Sequence, residues 1–224
     1  MSSAFQSAGQ RCSALRLLFV QEDVAEDMVA MIAGAMAELR IGDPAKLETD
    51  VGPIIDEEAH DGIAAHVEAW RAKGRVLAEA LRSDGAEGSF VKPAMIRLDA
   101  ISNYTSEVFG PVLHVVTWRA GELDAVIEAI NATGYGLTLG VHSRIESFTA
   151  HVATRARVGN IYVNRNQIGA IVGSQPFGGR GLSGTGPKAG GPHYLFRFAE
   201  EKTVSTDITA AGGNTQLMAG GEGI

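Results

Sequence analysis

An α/β fold with a largely parallel sheet flanked by helices is what this chain predicts, and two observations carry the prediction. Short apolar and β-branched runs recur along it, and stretches with helical spacing of apolar residues separate them. Its 224 residues, 45% of them apolar, also suffice for one sizeable core. No internal repeat is visible.

The elements follow in order. Leu15, Leu17, Leu18, Phe19 and Val20 read as a buried strand over 15–20. Gln21-Glu22-Asp23 then places acids where a helix N-terminus favours them, and Val24, Met28, Met31, Ile32, Ala35, Met36 and Leu39 share one helical face. That methionine stripe predicts core rather than a cofactor contact. A polar loop over 41–55 leads to a second helix with Ile63, Val67 and Trp70 on one face, closing at Gly74. Residues 75–79 and 89–98 read as short strands around the turn Ser83-Asp84-Gly85, with Pro93 holding its strand to an edge or a bulge. Val112 to Val116 form a strongly apolar strand. A helix bearing Leu123, Val126, Ile127 and Ile130 passes through Gly134 to a strand at 137–142, and a helix near 145–154 leads to a strand at 159–163. A glycine-rich loop, a short helix near 192–198 and a polar strand over 202–206 complete the chain. The expected division is a main domain over 1–198, an oligomerisation strand over 199–209 and a flexible tail over 210–224.

Several classes of function are disfavoured. The net charge is −7 with no basic run, which speaks against nucleic acid or an anionic membrane as partner. No segment has the roughly 18 uninterrupted apolar residues of a membrane span, and no basic-then-apolar leader opens the chain. One cysteine and no leader predict a cytoplasmic setting. The six histidines make no HExxH or Cys/His ligand cluster, so no metal site is predicted. His114 lies in an apolar strand and reads as a satisfied core histidine. Gly179-Arg-Gly-Leu-Ser-Gly184 matches G-x-G-x-x-G as a string, but Gly186, Pro187, Gly190, Gly191 and Pro192 follow where a dinucleotide loop must open a helix. It reads instead as an extended loop whose backbone approaches something closely.

The single cysteine, Cys12, sits in Gly9-Gln-Arg-Cys-Ser13 just before the first strand. Without a partner thiol it is either a nucleophile or an inert core residue. A cysteine hydrolase would require a histidine beside it, and none is placed for that role. Two further motifs weigh on the choice: Glu107-Val-Phe-Gly-Pro111, before a buried strand, and Gln175-Pro-Phe-Gly-Gly179 with Ser183-Gly184.

In this order and at these separations the three motifs resemble the aldehyde dehydrogenase superfamily. Ser2 to Arg16, Val163 to Gly173 and Leu182 to Tyr194 are similar to its L-glutamate γ-semialdehyde (1-pyrroline-5-carboxylate) dehydrogenase branch. More narrowly they resemble the C-terminal part of bifunctional proline-utilisation flavoproteins. The resemblance spans roughly residues 3–212 and implies the family's catalytic domain and NAD-dependent oxidation of L-glutamate γ-semialdehyde in proline degradation. Cys12 would be the nucleophile, with its own backbone N–H among the oxyanion donors. Arg11, though adjacent, is given no activating role. Glu107 would accept hydrogen bonds from the nicotinamide-ribose hydroxyls, and Phe109 would pack at that end of the cofactor. Gly169 and Ala170 would hold the substrate's α-carboxylate through main-chain N–H groups, Ser13 would share it, and Phe177 would wall the aliphatic part. Some relatives have serine where this chain has Ala170, a change that main-chain recognition tolerates.

The family's nucleotide-binding domain, oxyanion asparagine and general-base glutamate precede the cysteine and are absent from this chain. The resemblance therefore implies a partial chain, acting as a homo-oligomer or with an N-terminal half. The competing expectation is a non-catalytic remnant serving as a folding or oligomerisation module.

Overall fold

The computed structural model describes residues 1–81, 88–184 and 186–207. A short helix, α1 (Ser2–Phe5), and a 3-10 segment over Gln6–Gly9 lead to β1 (Leu17–Gln21). Helix α2 (Glu22–Ala37) follows at once, with Glu22 and Asp23 in the first turn beside its unpaired N–H groups. Helix α3 (Glu57–Arg71) is capped by Asp56, whose carboxylate accepts the Ala59 N–H at 2.8 Å. Strands β2 (Val76–Glu79), β3 (Ala94–Leu98) and β4 (Val112–Trp118) join β1 in one sheet, ordered β1-β4-β3-β2.

That sheet is mixed. The β1–β4 and β3–β4 pairs are parallel, whereas β2 and β3 pair antiparallel, with a register shift between Val76 and Ala78. Pro93 does not hold β3 to an edge. It stands immediately before the strand, and the ladder begins at Ala94, whose N–H reaches Pro111 O at 2.9 Å. The missing proline N–H is therefore never required inside the sheet, and the irregularity falls in β2. Strand β4 has neighbours on both edges, and Val112 to Val116 are all buried, as an unbroken apolar run requires.

Helix α2 contacts β1, β2 and β4, and α3 contacts β2 and β3. The α3 face matches expectation, with Ile63 and Val67 buried. The α2 face does not: Ala25 and Met36 are buried, but Val24, Met28 and Met31 are 50%, 40% and 72% exposed. Apolar residues occur on most sides of this helix, so periodicity has little power to select the side that packs.

A second, smaller core lies between α4 (Leu123–Ala132), α5 (Glu146–Arg155) and the parallel pair β6 (Thr138–Val141) and β7 (Asn160–Val163). Ile127, Val141 and Val152 are its buried members. Strand β5 (Tyr135–Gly136) pairs with β8 (Arg180–Gly181), so the G-x-G-x-x-G string forms a two-residue ladder and a turn. The string also makes the close approach its glycines imply: a Cβ on Gly181 would stand 2.4 Å from Gly134 O.

Toward the C-terminus, only Tyr194–Phe198 wind into a 3-10 helix, since Pro192 and the preceding glycines leave too short a run to nucleate an α-helix. Residues 199–207 are exposed and pair with no described strand of this chain, so the strand expected over 202–206 is not formed within it. The Ser83-Asp84-Gly85 turn, residues 208–209 and the tail over 210–224 lie outside the described residues.

Ile96, fully buried at the centre of β3, is expected to lose about 2–5 kcal/mol of stability on truncation to alanine. Met31→Ala on the exposed side of α2 is expected to change it by less than about 0.5 kcal/mol. Denaturant unfolding of the two variants checks the assignment of faces.

Candidate active site

The turn bearing Cys12 is built from strained backbone. Ser7, Ala8 and Gly9 have φ of 56°, 54° and 65°, a region that costs a residue with a side chain about 1–3 kcal/mol. The turn is closed by Gln10 N–H to Ser7 O and Ala14 N–H to Arg11 O, each at 3.0 Å. Gln10 also fastens it to the loop before α3, donating to Pro53 O at 3.1 Å and accepting from Ile55 N–H at 2.9 Å. Cys12 stands exposed on this turn. Its N–H meets no acceptor among the described residues and is open to an incoming oxyanion. The Arg11 side chain turns back to donate to Ser7 Oγ at 3.0 Å.

Glu107 and Phe109 come to the same place through Arg16, which sequence reasoning did not single out. The Arg16 Nε donates to Glu107 Oε1 at 3.1 Å, and its guanidinium carbon lies 4.7 Å from the centre of the Phe109 ring. Its other nitrogens reach back to the cysteine segment, to Gly9 O at 2.5 Å and Arg11 O at 3.0 Å, with Gly110 O at 3.4 Å. The arginine side chain is 10% exposed and the Glu107 side chain 35%. Glu107 thus keeps part of its carboxylate toward solvent beside a 45% exposed aromatic ring. An exposed acceptor next to an exposed ring suits a sugar diol adjoining a flat heterocycle.

Behind this pair lies an imidazole relay of a buried His114 and a half-buried His66. His114 Nδ1 is 3.1 Å from Arg16 O, and its Nε2 is 2.9 Å from His66 Nε2. A carbonyl can only accept, so Nδ1 of His114 carries the proton, its Nε2 accepts, and His66 Nε2 is the donor. Burial, then the neighbouring His66, pushes the His114 pKa down to about 4. Burial and then Lys73 lower that of His66. The Tyr104 ring packs 4.9 Å from His114, and its hydroxyl accepts the Val108 N–H at 3.3 Å, tying the relay to the Glu107 loop. His114 is therefore the satisfied core histidine its strand predicts.

The expected carboxylate anchor approaches from the other side. Gln167, buried, donates from Nε2 to Ser13 O at 3.1 Å, and Thr138 Oγ1 donates to the same carbonyl at 3.4 Å. Ser3 Oγ bridges Asn166 Oδ1 and the Gln167 N–H. Gly169 and Ala170 follow directly, and neither N–H has an acceptor among the described residues. Ser13 is 7% exposed, Gly169 half-buried and Ala170 exposed. Phe177 is held in a reciprocal pair with Ala189, and no hydrogen bond or ring contact among the described residues joins it to the Cys12 turn. The contacts thus bring Cys12, Ser13, Glu107, Phe109 and the 166–170 segment together, and none of them includes Phe177. No cluster of three or more ligand-type side chains capable of holding a metal occurs among the described residues.

Residues 1–204 match the model of a family described as the aldehyde dehydrogenase family. The chain is 55% identical over 208 residues to the bifunctional protein PutA of Klebsiella aerogenes, covering 90% of this chain and 16% of that protein. It is 39% identical over 208 residues to the 1-pyrroline-5-carboxylate dehydrogenase of Geobacillus kaustophilus, covering 92% of this chain and 40% of that one. A crystal structure of a Bradyrhizobium japonicum proline utilization A (PutA) mutant superimposes with a TM-score of 0.88 at 57% identity, over 95% of this chain and 21% of that one. The chain therefore spans about a sixth of the length of the first bifunctional relatives it matches.

The neutral relay makes stability depend on pH. The unfolded His114 binds its proton near the ordinary histidine value of 6.5 and the folded one near 4, so the unfolded state holds more protons between those values. Stability from this group is complete above about pH 6.5 and falls as pH drops toward 4, by a total on the order of 3 kcal/mol. Denaturant midpoints across this window are expected to decline with acid. The slope is expected to be shallower in His114→Asn, whose side-chain amide still has a donor for Arg16 O. An unchanged slope would sink the assignment of the relay as neutral.

Proposed function

The chain belongs to the aldehyde dehydrogenase family, and we propose that it carries the nucleophile, the substrate-carboxylate anchor and the nicotinamide-ribose end of a site oxidising L-glutamate γ-semialdehyde to L-glutamate with NAD. The observation that carries this reading is the meeting of three segments: the Cys12 turn, the Glu107–Phe109 loop bound to it by Arg16, and the 166–170 segment bound to it by Gln167. The match to a 1-pyrroline-5-carboxylate dehydrogenase along 92% of the chain supports the same substrate class.

In this reading the Cys12 thiolate adds to the aldehyde carbon, and the resulting oxyanion accepts from the Cys12 N–H. One such donor is worth about 2.7–4 kcal/mol of barrier where it has been removed elsewhere. Loss of hydride from the thiohemiacetal leaves a thioester on Cys12, which water converts to the carboxylate and the free thiol. Glu107 and Phe109 would hold the nicotinamide-ribose end of NAD, which supplies the hydride acceptor when bound. The free N–H groups of Gly169 and Ala170 would take the substrate's α-carboxylate, with Ser13 beside them. That anchor favours a semialdehyde bearing a carboxylate over a simple aldehyde. Phe177 remains the proposed wall for the aliphatic part, supported by its place in the Pro-Phe-Gly-Gly motif. Thioester hydrolysis also needs a general base, which the resemblance places before the cysteine.

The test places residues 1–204 in the corresponding segment of the Geobacillus kaustophilus relative and follows NADH formation. The hybrid is expected to turn over the semialdehyde, and Cys12→Ala to lower that turnover at least about a thousandfold. Ala170→Pro, which removes one anchoring N–H, is expected to raise the KM for the semialdehyde about tenfold while leaving propanal oxidation unchanged. The 224-residue chain alone is expected to form no NADH. Equal effects of Ala170→Pro on both aldehydes would refute the carboxylate anchor, and an inactive but folded hybrid would favour the non-catalytic module.

A further inference from the structure

Arg16 is the one described side chain whose hydrogen bonds reach both the cysteine turn and Glu107. Its position is set from both ends. At the main chain, its carbonyl accepts two bonds from His114, from the backbone N–H at 2.9 Å and from the ring at 3.1 Å. At the side chain, a nearly buried guanidinium divides its donors among Glu107 Oε1 and the carbonyls of Gly9, Arg11 and Gly110.

The chemistry requires an arginine. The two loops abut so closely that a Cβ on Gly9 would stand 2.2 Å from Gly110 O. Their carbonyls therefore share one small space, and a planar cation with donors in fixed and different directions can satisfy them and the carboxylate at once. A lysine ammonium, a point charge on a flexible stem, has the charge but not the fork. The guanidinium also holds the peptide that leads into Cys12, because the Arg11 carbonyl belongs to the same peptide group as the Cys12 N–H.

We infer that Arg16 is the positioning residue of this site, coupling the orientation of the Cys12 peptide and the electrostatics of its thiol to the state of the Glu107 carboxylate. The inference rests on the proposed roles of Cys12 and Glu107 for its meaning in catalysis, but the coupling itself requires neither substrate nor cofactor. While Glu107 pairs with Arg16, much of the guanidinium charge is compensated. When the carboxylate is neutralised or engaged elsewhere, that charge acts more strongly on the cysteine turn, and a nearby cation favours thiolate.

Cys12 is the only cysteine, so its alkylation by iodoacetamide can be followed in the purified full chain by mass spectrometry without labelling elsewhere. Rates are measured across pH for the unmodified chain, Glu107→Gln, Arg16→Met, Arg16→Lys and the Glu107→Gln/Arg16→Met pair. Glu107→Gln is expected to speed alkylation near neutral pH about threefold or more and to move the half-maximal rate to lower pH. In the Arg16→Met background the same change is expected to have no effect, and Arg16→Met alone to slow the reaction. Arg16→Lys is expected to retain part of the rate but not the response to Glu107→Gln. If Arg16→Met does not fold, as thermal unfolding would reveal, Glu107→Gln in the Arg16→Lys background supplies the cycle. Independent, multiplying effects of the two substitutions, or a fall in melting temperature with no change in the pH profile, would overturn the coupling. Semialdehyde oxidation plays no part in this measurement, so failure of the dehydrogenase reading leaves its outcome separately visible.

Discussion

Two glycines in backbone contact set the geometry on which the rest of the site depends. Gly9 comes so near Gly110 that no side chain fits between them, and the place of a Gly110 Cβ is taken by Ile63 at 2.5 Å. Helix α3 thus backs the contact from the core side. Its sheet partners complete the arrangement: β1 and β4 are adjacent and parallel, with Leu17 opposite His114. The loops that precede two parallel neighbours emerge at the same end of a sheet. The cysteine turn and the Glu107 loop are those loops, so topology places them side by side before any side chain contributes. Ligands of open α/β sheets usually gather outside the carboxyl ends of strands. These two loops lie at the amino ends, and the 166–170 segment joins them after β7 has ended.

Local chemistry made much of this legible in the sequence. The apolar run at 112–116 could only be an interior strand, and it is one; the acids at 22–23 begin α2 where they should. The glycine string at 179–184 opens no helix, and its backbone approaches Gly134 closely, as its surroundings implied. What the sequence concealed is separated by distance along the chain. Arg16 and Glu107 are 91 positions apart, and His66 and His114 are 48 apart. No local periodicity encodes such partners. Gln167 lies within the Val163–Gly173 stretch, yet its hold on Ser13 O depends on β6, β7 and the cysteine turn meeting. The misread face of α2 has a different cause, since a helix apolar on most sides offers several faces that could pack. Pro93 misled because its rule concerns residues within a ladder, and this one stands one residue outside.

Strain and its compensation also explain why the cysteine turn needs so many fastenings. Two non-glycine residues in left-handed conformation, Ser7 and Ala8, would relax if the turn were free. It is held by Gln10 toward the α3 loop, by Arg16 toward Glu107 and by Ser13 toward Gln167. Each bond comes from a different part of the fold, so the turn is fixed only when all three parts are in place. The thiol on this turn is presented rather than buried, so Cys12 is not the core cysteine that its isolation alone suggests.

The histidine in β4 is the less obvious part of the same device. An apolar residue at position 114 would fill the space, but only a side chain with a donor can give the Arg16 carbonyl a second hydrogen bond beside the ladder bond it already accepts. The ring is neutral in this arrangement, donating from Nδ1 to Arg16 O and accepting at Nε2 from His66. Burial and the nearby cations keep it so. Arg16 carries the fixed positive charge, and placing charge there rather than on the imidazoles has a consequence. The guanidinium fork holds the cysteine turn through Gly9 O and Arg11 O, while the relay behind it supplies direction without adding charge. The division of labour places permanent charge where Glu107 can counter it and neutral donors where no counter-charge is available.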